Sequence, residues 1–212
     1  MLADHFPPLG LRLKTPRLEL ALPAPQELTK LAEVAAAGIH HPDYMPFLAP
    51  WTQAPAAELC RGVVQSHWSD PGRWKPADWS LNLTVFFGGE PVGEQSMFAR
   101  DFAVTRSVST SSWLGLPFQG RGIGTELRAA VLHLAFAGLD AVEAASTAFA
   151  DNAASRAGPA KLGYVPHGQQ RRSADGVPRI DQWLALYAGV RDRGAVTRQR
   201  PPVGPTPGGT VL

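Results

Sequence analysis

Between Trp113 and Glu126 the chain reads Trp-Leu-Gly-Leu-Pro-Phe-Gln-Gly-Arg-Gly-Ile-Gly-Thr-Glu, with glycines at 115, 120, 122 and 124. The residues leading into it, densest at Ser111-Ser112-Trp113-Leu114-Gly115-Leu116, suit a strand. Those leaving it set Ile123, Leu127, Val131 and Leu134 at helical spacing. The chain therefore passes from strand to helix through a turn with little side-chain bulk. Closely spaced glycines let the backbone curl, and let a ligand approach where a Cβ would intrude. The first helical turn leaves N–H groups without intrahelical partners, and the helix dipole adds partial positive charge there. A diphosphate suits such a place.

Three phosphate-binding loops share this outline. A P-loop requires Gly-Lys-Ser/Thr, and no such run follows Gly124. A dinucleotide fingerprint starting at Gly120 and Gly122 needs its third glycine where Thr125 stands, and it normally follows the first strand of its domain. The third pattern, Q-x-x-G-x-G, is met by Gln119, Gly122 and Gly124.

Around this turn the periodicity predicts a mixed chain. Leu11–Leu13 and Leu18–Leu22 alternate like a strand broken at Pro16. Residues 26–37 read as a helix with Leu28, Leu31, Ala32 and Ala35 on one face and Gly38 as its stop. His40 to Thr52 is an irregular loop rich in proline and aromatics, and Ala56–Trp68 a second helix ended by Asp70-Pro71-Gly72. Trp79, Leu81, Leu83 and Val85 alternate with polar residues, and Gly88-Gly89 turns that strand back into Pro91–Ala99. A strand at 142–148, a helix at 153–162, and strands at 163–167 and 182–187 complete one domain over residues 1–190. From Arg191 the chain turns to Arg, Gly and Pro, the composition of a disordered tail.

Composition narrows the class. A formal net charge of +2 with scattered arginines gives no stripe to follow a phosphate backbone, so no nucleic-acid partner is expected. Cys60 is the single cysteine, which excludes an internal disulfide and a multi-cysteine metal site. It lies in an apolar-spaced helix and reads as an inert thiol. His40-His41 lacks a third ligand pattern, so no metal is expected. No apolar run approaches the ~20 residues needed to span a bilayer. A soluble protein of the reducing cytoplasm is expected, without membrane contact.

The order of motifs resembles the RimJ/RimL-type branch of the GNAT superfamily of N-acyltransferases, from about Leu11 to Tyr187. Thr15-Pro16-Arg17-Leu18-Glu19-Leu20 is similar to that branch's opening strand. Asp151-Asn152-Ala153-Ala154-Ser155 with Lys161-Leu162-Gly163-Tyr164 is similar to its N-x-x-S … K-x-G-[FY] segment. Met45-Pro46-Phe47, Pro50-Trp51-Thr52 and Arg100-Asp101-Phe102 resemble an actinobacterial subgroup with a succinyl-CoA-associated mycobacterial member.

The resemblance implies an α+β fold: a largely antiparallel sheet flanked by helices, with two central strands splayed to admit CoA. It implies transfer of an acyl group from acyl-CoA, acetyl-CoA by default and succinyl-CoA as an alternative, to a primary amine. The acceptor would be a protein N-terminus, a lysine or a small molecule; a homodimer is left open. By carry-over, Leu114, Gly115 and Leu116 would pair with the pantetheine arm, and Gln119, Gly120, Arg121, Gly122, Ile123, Gly124 and Thr125 would hold the pyrophosphate. Asn152 and Ser155 would sit near the thioester.

Acyl transfer needs a neutral amine, an oxyanion donor and a proton for the leaving thiolate. The N–H of Trp113 or Leu114 is the expected oxyanion donor, and Ser155, with Tyr164 second, the expected acid. Relatives carry a carboxylate a few residues before the strand tryptophan, where this chain reads Val108-Ser109-Thr110. Asp101 is the nearest alternative base, with Glu94 behind it. Gly158-Pro159 is expected to bend or shorten the Ser155 helix. Without a base, the rival reading is an acyl-CoA-binding sensor that does not turn over.

Overall fold

The computed structural model describes residues 1–174, 176–189 and 197–199. One helical turn, α1 (Leu2–His5), precedes the short strands β1 (Arg12–Lys14) and β2 (Leu18–Ala21). The helices α2 (Pro25–Ala36) and α3 (Ala56–Gly72) are joined by the aromatic loop, and β3 (Asp78–Phe87) and β4 (Glu90–Arg100) form a hairpin. The single turn α4 (Phe102–Thr105) leads to β5 (Ser107–Leu114), and α5 (Ile123–His133) carries the chain to β6 (Glu143–Phe149). Then come α6 (Ala153–Lys161), β7 (Val165–Ala174), β8 (Val177–Tyr187) and β9 (Thr197–Gln199).

The strands make one sheet in the order β7-β8-β6-β5-β4-β3-β2-β1-β9. Every pairing is antiparallel except β5 with β6. A parallel pair needs a crossover connection, and α5 supplies it between β5 and β6. Alternation sorts the side chains by face. Leu81, Leu83, Val85, Met97 and Val108 pack with Ile123, Leu127, Ala130 and Val131 of α5 in one core. Leu28, Leu31, Ala32 and Ala35 of α2 meet Leu59 and Val63 of α3 in a second, on the opposite face. Each fully buried Leu, Ile or Val there contributes about 1.5–3 kcal/mol.

Several boundaries differ from the periodicity. β7 and β8 are 10 and 11 residues long, against the five and six that alternate in sequence. From Val165 to Ser173 β7 is exposed on both faces, so Gly168-Gln169-Gln170-Arg171-Arg172 carries no alternation to read. Helix α6 runs through Pro159 to Lys161 instead of breaking at Gly158. Proline there only deprives the Ser155 carbonyl of its i+4 donor in a helix that ends two residues later. Within the stretch expected to be disordered, Thr197–Gln199 pairs with Arg12–Lys14; the rest of that stretch lies outside the described residues.

Candidate active site

β5 and β6 are paired over three residues only, Ser107–Ser109 with Glu143–Ala145. Beyond them the ladder stops, and β5 runs on to Leu114 and β6 to Phe149 without pairing to each other, leaving a gap in the sheet. On its other edge β5 stays paired with β4 as far as Leu114 opposite Gly93. The Gly115 N–H donates to Val92 O at 2.9 Å. Counting back from it by alternation, the N–H and C=O groups of Trp113 face β4, while those of Ser112 and Leu114 face the gap. Of the two N–H groups considered for the oxyanion, that of Leu114 is the one that faces the gap. The Leu116 N–H is committed to Gly38 O at 3.0 Å. Of Leu114, Gly115 and Leu116, only Leu114 turns its N–H to the gap, and its carbonyl already accepts from Gln119 Nε2.

The glycine-rich turn sits at the mouth of this gap. Gly120 and Gly122 have φ of +70° and +78°, and Gly122 is the N-cap of α5. Any Cβ there would be strained, so the sharp entry depends on glycine. Gln119 faces away from an anion: its Nε2 donates to Ile39 O and Leu114 O, both at 2.8 Å, stapling the turn to the end of α2. Arg121 lays its guanidinium 5.2 Å from the centre of the Phe87 ring. A methyl on Gly158 would stand 3.7 Å from Thr125 Oγ1, so α6 runs beside the first turn of α5. Asn152 caps α6: its Oδ1 accepts from the Ser155 N–H at 2.9 Å, and the Ser155 side chain is exposed.

Glu126 anchors the turn from below. Its carboxylate accepts from Thr15 Oγ1 at 2.5 Å, the Arg17 N–H at 3.1 Å and Arg17 Nε at 2.7 Å. Arg17 Nη1 also donates to Arg121 O at 3.1 Å. Burial alone would raise this carboxyl, but Thr15 and Arg17 together hold it below its usual value. Glu126→Gln is expected to cost about 1–2 kcal/mol at pH 7, the lower end because solvent around Arg17 screens its share. The folded carboxyl ionises at lower pH than the unfolded one. Its stabilisation is therefore complete above about pH 5 and is lost as pH falls through the folded value. Thermal unfolding of the two proteins should converge as pH drops from 7 to 3; a gap that persists in acid would refute the charge-based anchor.

The structure redistributes the catalytic candidates. Asp101 stands beyond Arg100, at the end of β4 remote from Gly93, with its N–H bonded to Ala77 O. Seven residues of strand, about 23 Å, separate it from Glu94. Glu94 lies directly across the ladder from Trp113, with the width of β5 between it and the gap. Its Oε2 is 2.9 Å from His67 Nε2 on α3, and its Oε1 accepts from Ser96 Oγ at 2.7 Å. The His67 side chain is 2% exposed and that of Glu94 14%. Tyr164 is buried behind β5, with its hydroxyl 3.4 Å from Thr110 Oγ1.

Two groups carry no signal at motif level. His67 continues the Leu59 and Val63 stripe at intervals of four, so its burial is legible though its partner is not. Arg128 is buried within a run, Leu127 to Leu132, that is buried on every side. The aromatic loop adds a clasp: Tyr44 Oη donates to Asp151 Oδ1 at 2.8 Å, and Arg179 Nη1 donates to Asp151 Oδ2 at 2.7 Å. Burial first, then this bond to the carboxylate, push the Tyr44 hydroxyl up to about 12. Cys60 is half-buried, with Sγ 3.5 Å from Ala32 O, and His40 Nε2 lies 2.7 Å from Thr52 Oγ1.

A strand edge freed by splaying, beside a glycine-rich turn and a helix N-terminus, is a place for an extended ligand that ends in phosphates. The acetyltransferase (GNAT) domain profile matches residues 17–165, which span both features. The chain belongs to the GNAT acetyltransferase family. Its fold is similar to that of Mycobacterium smegmatis RimJ in complex with CoA-disulfide, at TM-score 0.71 and 20% identity over 87% of this chain and 88% of that one. It is also similar to RimL, a ribosomal L7/L12 alpha-N-protein acetyltransferase solved with coenzyme A, at TM-score 0.66 and 18% identity over 84% and 97%. At these identities the likeness is one of fold. As in any GNAT chain of this kind the chemistry must be read from the residues at the splay. No helix among the described residues is long and apolar enough to cross a membrane, and none of their His, Cys, Asp and Glu side chains form a group of three that could hold a metal.

Proposed function

We propose that the chain transfers an acyl group, acetyl first, from acyl-CoA to a primary amine by direct attack on the thioester. The observation that carries this is the end of β5–β6 pairing at Ser109 and Ala145 beside the glycine-rich start of α5. The pyrophosphate lies on the turn 119–125, and the pantetheine arm runs in the gap against the main chain of Ser112 and Leu114. The acceptor approaches from the α3 face. That face is open over the second half of the sheet, where Phe98 and Trp183 are 40% and 41% exposed. Among protein N-termini, lysines and small amines, we favour a protein N-terminus, the acceptor class named for the RimL neighbour.

Glu94, not Asp101, takes the proton of the incoming ammonium, directly or through one water. The neutral nitrogen attacks the thioester carbon as the C–N bond forms, and the Leu114 N–H receives the developing oxyanion. The C–S bond then breaks as the Ser155 hydroxyl passes a proton to the thiolate and takes one from the attacking nitrogen, which leaves a neutral amide, a thiol and an unchanged serine. With a thiol pKa near ~8.5 this leaving group needs only a weak acid. Two features speak against a silent sensor: the Glu94 carboxylate stands across β5 from the gap, and α6 continues past Gly158.

Thermal shift with acetyl-CoA, succinyl-CoA and NADPH tests the reading. A ligand at ~100 times its Kd stabilises by about 2.7 kcal/mol. Acyl-CoA should raise Tm and NADPH should not, with the larger acyl-CoA shift marking the donor. Thiol release in the presence of an N-terminal peptide then separates an enzyme from a sensor. A shift with NADPH alone, or with none of the three, would overturn the proposal.

A further inference from the structure

Arg128 is 7% exposed and lies on α5 where that helix crosses the diverging strands. Main-chain pairing ends at Ser109 and Ala145. One residue further, hydroxyls replace it: Thr110 Oγ1 donates to Ala145 O at 3.3 Å, and Ser146 Oγ donates to Thr110 O at 3.2 Å. Arg128 Nη1 donates to both of these hydroxyls, at 3.2 and 2.9 Å, and Nη2 donates to Ser112 Oγ at 3.2 Å. A single planar fork thus ties β5 at two positions and β6 at one, just where the strands separate.

Stability alone gives a poor account of this residue. Taking a guanidinium out of water costs several kcal/mol, and an apolar side chain of similar volume often fills such a space at no loss. Among the described residues the charge of Arg128 faces Tyr164 and no carboxylate. Its hydrogen bonds instead fix distances. The donor fork is rigid, so its three acceptors set how far Thr110 and Ser112 stand from Ser146; a lysine ammonium on a flexible stem imposes no such spacing.

We infer that Arg128 is a positioning residue that sets the width of the gap between β5 and β6 to that of a pantetheine arm. The inference rests on the acyl-CoA reading above. The turn 119–125 is held separately by Gln119 and by the Arg17–Glu126 pair, so a change in gap width should spare the ligand's phosphate end. Calorimetric titrations with CoA and with 3′-phospho-ADP, which lacks the pantetheine arm, separate the two ends. Arg128→Met and Arg128→Lys should each weaken CoA at least tenfold and leave 3′-phospho-ADP within about twofold of wild type. The milder pair Ser112→Ala with Ser146→Ala, which keeps the charge and removes acceptors of the fork, should show the same split and guards against a misfolded arginine variant. CoA affinity unchanged in all variants would overturn the inference. So would equal weakening of both ligands, or full rescue by lysine, which would assign the effect to charge. If wild-type protein binds neither ligand, the acyl-CoA reading itself falls.

Discussion

Glu94→Gln should lower kcat by about 10²–10⁴-fold and leave the affinity for acyl-CoA within about twofold of wild type. The carboxylate faces the Trp113 side of β5, where cross-strand neighbours stand about 4.5–5.5 Å apart, while the proposed CoA site occupies the gap and the turn 119–125. Glutamine keeps the shape and can still bond to Ser96 and His67, so only the proton acceptor is lost. His67 and Ser96 each engage one carboxylate oxygen, which fixes the orientation of the group. Asp101→Asn, remote along β4, should leave kcat close to wild type. Steady-state kinetics with acetyl-CoA and an N-terminal peptide decide the matter. A drop for Asp101→Asn with none for Glu94→Gln would reverse the assignment.

The largest loss of stability is expected at Gly93. A Cβ there would lie 2.3 Å from Trp113 O and 2.9 Å from Leu114 Cα, both main-chain atoms of the neighbouring strand. Neither can turn aside as a flexible side chain would, so β4 and β5 must separate at the rung of Gly93 and Leu114, next to that of Glu94 and Trp113. Gly93→Ala should therefore cost about 3 kcal/mol or more, roughly 6–12 °C in Tm for a chain of this size. Gly62→Ala, on α3 with open space around the added methyl, is the control and should hold or slightly raise Tm. A Gly93→Ala protein that melts within a degree or two of wild type would show that the strands are not held so closely.

Why some of this was legible beforehand follows from which residues sit between water and core. The α2 stripe of Leu28, Leu31, Ala32 and Ala35 and the β3 alternation of Leu81, Leu83 and Val85 each have one wet and one dry side, and the order of residues records it. Gly120 and Gly122 were readable for a different reason: a backbone with positive φ excludes most side chains. Most of β7 was not readable, because a strand exposed on both faces leaves no period. Nor was the choice between Asp101 and Glu94. Glu94 lies within β4 and Asp101 just past its end, and only the register of β4 against β5 shows that Glu94 stands opposite Trp113. Arg128 was hidden because a cation satisfied by three serine and threonine hydroxyls from two other strands has no local signature.

The brevity of the β5–β6 pairing has a mechanical side. Three paired residues join two otherwise independent antiparallel meanders, β1 to β5 and β6 to β8, into one sheet. Such a junction is a hinge line along which only three rungs of pairing must yield, so amide exchange is expected to be faster there than along β3–β4 or β7–β8. The Tyr44–Asp151–Arg179 clasp crosses that line from the other side of the opening, so the hinge has a latch. A ligand lodged between the leaves adds bonds along the same line, and the stiffening it brings is felt by both meanders at once.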